Sequence, residues 1–322
     1  MSALLPAWVR NRIRPLAADA RLWRRRLSAQ RAGLAIVYHA TEEPAGDPAR
    51  ELVASHGPAR LAAQLRHVRR HYRPVLADEL PAAVAARRRG GRFPVAITFD
   101  DDLACHAEVA APALAEAGIA ATFFLTGTGL EGPRANWWQS LQRAHDAGAL
   151  DAETRATLGG GTDVRALAAV AEALPEPELE RVGARLAELA GGLGADPGLG
   201  ADQVRALAAA GHEIGFHTRR HVRLLGLSSA RLEEAFREGR EELEAACGRR
   251  LTAVAYPHGK ADATVADAAR AARFAVGFTG RPIAVASDDD PLLIGRLQPT
   301  YDDDGAFAMQ LATALLDRAR RS

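Results

Sequence analysis

The sequence predicts an α/β fold with buried parallel strands, and two observations carry that reading. Six short stretches are almost wholly apolar: 34–38 (LAIVY), 94–99 (PVAITF), 121–125 (ATFFL), 213–217 (EIGFH), 251–256 (LTAVAY) and 274–278 (FAVGF). Strands apolar on both faces belong in parallel sheets or barrels covered by helices. Between them, 59–71, 104–117, 202–210, 229–246 and 261–273 carry helical spacing and strong helix formers. Strand and helix in alternation imply crossover connections.

The boundaries follow from local chemistry. Ser228 or Ser229 can cap the 229–246 helix, and Gly248 can end it after Cys247. Gly118 stops the 104–117 helix just before the next strand. Residues 128–200 break the rhythm: they hold Trp137-Trp138, helix-like 152–158 and 164–174, a turn at 175–177, a further helix-like 178–190 and a glycine-rich end. No strand pattern occurs there, so the stretch reads as a helical insertion packed over one end of the sheet. Residues 307–320 read as a closing helix. The expected organisation is a basic leader over 1–33 and one body over 34–322, with the insertion at about 128–200.

Composition narrows the function classes. A chain of 322 residues, 48% hydrophobic and 25% charged, is an ordinary globular protein. A net charge of +1 gives no electrostatic case for a nucleic-acid partner. The charge is unevenly spread: residues 1–92 hold 18 arginines against 7 acids, and the remainder is correspondingly acidic. The basic N-terminus reads as a solvated helix face or as a peripheral contact with anionic lipid. Two cysteines, Cys105 and Cys247, make no disulfide framework, and no apolar run approaches the roughly 18 residues needed to cross a bilayer. With no signal-peptide pattern at the start, a cytoplasmic location is expected, with the leader at the inner membrane face. Oligomeric state is not legible.

Three constellations carry chemistry. The first is Thr98-Phe99-Asp100-Asp101-Asp102, where an apolar strand ends in carboxylates. Parallel α/β folds place their sites at this rim, although an acidic helix cap reads the same way. Neighbours on a strand point to opposite faces, so Asp100 and Asp101 share a site only if the chain leaves β geometry there. The second is His217 and His221, four apart after a strand, which converge if a helical turn follows. Two neutral imidazoles and one carboxylate make an open site for a divalent ion, with Gly215 leaving space beside it. Surface histidines at this spacing are the alternative. His212, on the opposite parity, is assigned to structure. The third is Tyr256-Pro257-His258-Gly259, an irregular turn that can leave amides facing a cleft, or simply a turn.

In order, TFDD, ATFFLTG, GHEIGFHTRRH and AYPHG resemble the motifs of the polysaccharide deacetylases, the NodB-type carbohydrate esterases of family 4. The strand ending in Tyr38-His39 is similar to the one that opens such proteins. The resemblance spans about 34–297. It implies a distorted (β/α) barrel of seven or eight strands that removes acetyl groups from a sugar. By the family pattern Asp101, His217 and His221 are the metal ligands, Asp100 is the general base, and the backbone N–H of Tyr256, beside Pro257, holds the oxyanion. The implied cofactor is one divalent ion, zinc first, with cobalt, nickel or manganese also suited to these donors.

Departures from the pattern matter as much. Asp102 stands where the family usually has glycine, adding a negative charge beside the metal or facing solvent. The arginine usual before the Tyr-Pro element is missing, and no histidine follows Lys260, which removes the usual proton donor. His39, ahead of His258, is the expected substitute, and Arg296 orients Asp100 or an anionic sugar group. Trp138, with Trp137, reads as a sugar-stacking platform or as an anchor of the insertion. The expected activity is deacetylation of an N-acetylated sugar in a surface polysaccharide or glycolipid precursor. A non-catalytic carbohydrate-binding relative, and a hydrolase of other amide or ester bonds, are the competing readings.

Overall fold

The computed structural model describes residues 7–132, 136–191 and 198–319. Its strands are β1 (Ala32–Tyr38), β2 (Arg73–Val75), β3 (Pro94–Asp100), β4 (Thr122–Leu125), β5 (Glu213–Phe216), β6 (Ala253–Ala255), β7 (Val276–Phe278) and β8 (Val285–Ala286). Each of the six apolar stretches contributes a strand. The helices are α1 (Ala7–Arg26), α2 (Pro58–His71), α3 (Leu80–Ala85), α4 (Ala111–Ala117), α5 (Trp137–Asp146), α6 (Ala152–Thr157), α7 (Val164–Ala173), α8 (Glu176–Leu189), α9 (Ala201–Ala209), α10 (Ser229–Arg237), α11 (Arg240–Cys247), α12 (Ala263–Ala271) and α13 (Asp304–Ala319).

The strands run β7-β6-β5-β4-β3-β1-β8 and form a distorted (β/α) barrel. All pairings are parallel except β1 with β8. One edge of β3 is shared, its first half pairing with β2 and its last residues with β4. The seam between β7 and β1 is filled by 294–297, through the bridges Phe278↔Ile294 and Ile36↔Leu297. There Leu297 donates to Ala35 O at 2.8 Å, and Val37 donates to Leu297 O at 3.0 Å. This seam places Arg296 in the barrel wall.

Alternation along the strands decides what lies inside. Val95, Ile97 and Phe99 of β3 pack outward beneath the helices, whereas Ala96 joins the inner cluster of Ala35, Phe124, Ala253, Ala255 and Phe278. The same parity turns Asp100 inward at the end of β3 and His217 inward after β5. Gly215 is required by packing: a Cβ there would lie 2.5 Å from the Phe124 ring.

Two expected helices are broken. The 229–246 segment forms α10 and α11 because Gly239 sits at φ 76°, with Arg219 packed where a Cβ would project. The 104–117 segment opens with a π turn over His106–Ala110, and α4 begins next to Pro112, which has no N–H to donate. Among the described residues 128–200 contains no strand. Its helices α5, α7 and α8 bury Leu141, Leu167, Ala171 and Leu186 together.

Candidate active site

The chain leaves β geometry immediately after Asp100. Asp101 and Asp102 have φ of 83° and 52°, a left-handed conformation that non-glycine residues adopt only at a cost. The departure turns Asp101 to the same rim as Asp100. His217, at the end of β5, donates its Nδ1–H to Ala255 O at 2.8 Å, which leaves Nε2 as the free donor atom. His221 arrives through a non-helical turn, with Thr218 and His221 at φ 54° and 48°, where a helical turn was expected.

Three donor atoms meet there. Asp101 Oδ1 lies 3.3 Å from His217 Nε2 and 3.4 Å from His221 Nε2. It is buried with no hydrogen-bond partner, and the His221 Nδ1 is likewise unpartnered. The ligand atoms of Asp101, His217 and His221 all lie within 4.8 Å of one another. A tetrahedral ion with bonds of about 2.0–2.1 Å separates its ligands by about 3.3 Å. The donor set and its spacing therefore fit a small divalent cation with open positions.

The electrostatics agree. Burial pushes Asp101 up, but the two imidazoles against it outweigh that and hold it well below the usual carboxylate range. Burial lowers His221 to about 4, so it is neutral, as a metal ligand must be. For His217 burial lowers the value, and the carboxylates of Asp100 and Asp101 raise it further than that.

Asp100 is gripped from the seam. Arg296 Nη1 and Nη2 donate to its two oxygens at 2.7 Å each, with both side chains 3% exposed. Nη1 also reaches Thr98 Oγ1 at 3.1 Å, and the guanidinium carbon lies 5.5 Å from the Phe124 ring centroid. Burial alone would raise the Asp100 pKa; the Arg296 charge overrides it and lowers it. Arg296 thus touches the expected base while lining the cavity.

Other expectations need correction. The N–H of Tyr256 donates to Phe278 O at 3.0 Å and its hydroxyl to Leu292 O at 2.8 Å, so it has no amide to offer an oxyanion. Neither Tyr256 nor Pro257 lines the cavity. Parity explains this, since Tyr256 points outward from β6 into the helical layer against Phe236. Asp102 does not face solvent: it is buried behind the ligand Asp101, with its charge felt by His217. It accepts from Thr126 N at 2.6 Å, Thr126 Oγ1 at 2.9 Å and Gly127 N at 2.8 Å, fastening the end of β3 to the end of β4. Burial still pushes it up to about 6. His212 is structural, as expected, accepting the Ala121 N–H at 3.1 Å.

A cavity of about 490 Å³ opens over these groups, lined on one side by α5 and α7. His39 and His258 both line it. His39 Nε2 lies 3.9 Å from Asp101 Oδ2. His258, at φ 58°, has its ring centroid 4.9 Å from that of His221 and its Nδ1 3.4 Å from Glu172 Oε1. Trp138 lines the wall with its ring centroid 4.9 Å from that of His221, while Trp137 crosses it edge-on. Sequence reasoning missed Glu172: it lies on an alanine-rich helix 86 positions before His258, and no local pattern marks it.

The architecture so assembled is a (β/α) barrel with paired carboxylates and two imidazoles at the C-terminal rim of its strands. The polysaccharide deacetylase family model matches residues 87–157 and 166–277. The chain belongs to that family, whose members are carbohydrate hydrolases acting on N-acetyl carbon–nitrogen bonds. Solved structures share the fold at low identity. The Streptococcus pyogenes deacetylase PplD, solved in complex with acetate, is 16% identical with a TM-score of 0.61, covering 87% of this chain and 98% of PplD. IcaB from Ammonifex degensii is 19% identical with a TM-score of 0.56, covering 86% and 97%. The polysaccharide deacetylase BA0330 of Bacillus anthracis, so described in its structure, is 17% identical with a TM-score of 0.56, covering 89% and 69%. No curated protein matches the sequence.

Proposed function

We propose that the protein is a metal-dependent deacetylase of an N-acetylated sugar in a surface polysaccharide or glycolipid precursor. The observation that carries this reading is the convergence of Asp101 Oδ1 on His217 Nε2 and His221 Nε2 at 3.3 and 3.4 Å, beside an Asp100 fixed by Arg296. Asp101, His217 and His221 would hold the cation, zinc ahead of cobalt, nickel or manganese. When bound, it supplies Lewis-acid polarisation of the acetyl carbonyl and acidification of a water molecule.

The chain's own groups do the rest. Asp100 is anionic because of Arg296, and its oxygens keep lone pairs beyond the two hydrogen bonds they accept. It takes a proton from the attacking water. Trp138 and the α7 wall shield the site and place the sugar. As the carbon–nitrogen bond breaks, a proton must reach the departing nitrogen, which leaves as an amine beside acetate. His39 and His258 are the two histidines placed on the cavity to deliver it, and Glu172 orients His258. Their presence favours catalysis over the non-catalytic alternative, which rested on the missing late histidine.

The setting we infer is cytoplasmic at the inner membrane face. Its support is that Cys105 and Cys247 are both buried and not joined in a disulfide, together with the basic N-terminus. No helix among the described residues is long and apolar enough to cross a membrane.

The test is acetate release from N-acetylhexosamine conjugates with and without a chelator. Asp101→Ala and His217→Ala should each abolish both retained metal and turnover. Full activity in metal-free protein would refute the mechanism. His39→Gln and His258→Gln separate the two proton donors, since only the true one lowers kcat by about 10²–10⁴-fold.

A further inference from the structure

We propose that the outer face of α1, joined by the arginines of the 88–92 loop, is a docking surface for an anionic lipid bilayer. The inference gives residues to the membrane-adjacent setting proposed above and rests on it. Leu16, Trp23 and Leu27 are 70%, 61% and 43% exposed, and they are the large hydrophobic side chains most open to solvent among the described residues. Leu16 and Trp23 lie on α1, and Leu27 directly follows its last residue. Leu27 continues the helical turn through its N–H to Trp23 O at 3.4 Å.

The spacing makes a ridge. At about 100° per residue, positions 16, 20, 23 and 27 fall within an arc of about 60°. Ala18 and Leu22 point the opposite way, into the body, where Ala18 packs with Ala308 and Ala312 of α13. The helix is therefore apolar on two faces, of which the protein covers one.

The surroundings of the ridge are positive. Arg24 follows Trp23 on the flank of the ridge, and the only acid of α1, Asp19, lies 3.3 Å from His71 Nδ1. Folding adds charge that the helix alone lacks. The Gly90 N–H donates to Arg26 O at 2.6 Å, which brings the exposed Arg88, Arg89 and Arg92 to the end of α1. None of Arg24, Arg25, Arg88, Arg89 or Arg92 forms an ion pair among the described residues. A tryptophan and leucines beside unpaired arginines suit the headgroup layer: the rings and leucines enter the acyl boundary while the guanidinium groups meet lipid phosphates. A soluble acidic protein would satisfy the arginines, but it would not by itself call for a bare ridge of leucine and tryptophan.

The experiment is co-sedimentation of the full chain with vesicles of phosphatidylcholine alone or mixed with phosphatidylglycerol, at low and physiological salt. Binding should require the anionic lipid and weaken as salt rises. The Trp23→Ala, Leu16→Ala double variant should lose about tenfold or more in vesicle affinity. Arg88→Gln with Arg89→Gln should weaken binding to anionic vesicles and reduce its salt dependence. Circular dichroism checks that these surface variants remain folded. Absence of binding, equal binding to both vesicle types, or variants that bind like the parent would overturn the proposal. So would a lipid-free dimer dispersed by the same double variant, which would assign the ridge to a second copy. Acetate release from a soluble conjugate is measured alongside and should be unchanged in these variants. Vesicle binding without deacetylation would sink the catalytic reading alone, and deacetylation without vesicle binding would sink only the docking surface.

Discussion

Arg296→Met isolates the pair on which the catalytic reading leans. The substitution leaves Asp100 buried at 3% exposure without the two 2.7 Å hydrogen bonds that neutralise it. Removing one partner of a buried ion pair costs about 3–5 kcal/mol, because the surviving charge is uncompensated. The Asp100 pKa lies below its ordinary value in the parent, and in the variant burial raises it against only the weaker His217 and His39 charges. The parent is therefore stabilised above the unfolded carboxylate value of about 3.9, and the variant becomes less stable as pH rises past that point. The difference in unfolding free energy should be largest near neutrality and close as pH falls through the parent's folded value. Turnover should fall by about 10²–10⁴-fold, since a protonated or displaced Asp100 is no base. The assay is urea unfolding at several pH values, with acetate release on the same preparations. A double variant, Arg296→Met with Asp100→Leu, should regain most of the stability while remaining inactive. If Arg296→Met unfolds within about 1 kcal/mol of the parent and turns over within about tenfold, the pair has neither the energetic nor the positioning role assigned to it.

Further outcomes follow from the same geometry. Asp102→Ala strands the Thr126 and Gly127 amides and should cost about 1–3 kcal/mol in chemical unfolding, while metal content stays at the parent level. Gly215→Ala drives a Cβ to 2.5 Å from the Phe124 ring and should cost about 1–3 kcal/mol by the same measurement. Burial lowers His56 and His67 to about 4, so both stay neutral while the unfolded chain takes up protons below about 6.5. Stability should thus be complete above pH 6.5 and fall as pH drops towards 4, by up to about 3 kcal/mol per group, and His67→Phe should flatten that slope in unfolding curves.

Much of the site was legible because strand parity and motif order are local. A carboxylate that follows an outward-facing residue at the end of a buried strand turns inward at the rim, so Asp100 could be placed from its neighbours. His217 follows from the same rule on β5. The assignment of Tyr256, carried over from the family pattern, failed because here the ladder to Phe278 had already taken its amide. The hydrogen bonds of Asp102 to the end of β4 were not legible, because φ of 52° turns its side chain there and the identity of the partner depends on packing between strands. The break between α10 and α11 was hidden similarly, since an isolated glycine in a helical pattern is usually tolerated.

The sequence by itself determined which groups exist and where strands end: the apolar β-core, the acids after β3, the imidazoles after β5 and the basic N-terminus. Tertiary structure alone decided their partners. Arg296 meets Asp100 across 196 positions because closure of the barrel puts the 294–297 seam between β7 and β1. Glu172 meets His258 because the helices of 137–189 fold over the rim. The arginines near 90 join those of α1 because one backbone hydrogen bond ties the two segments together. Local periodicity fixes the direction of a side chain from its own backbone, whereas the group it faces is set by long-range packing that no window of sequence contains.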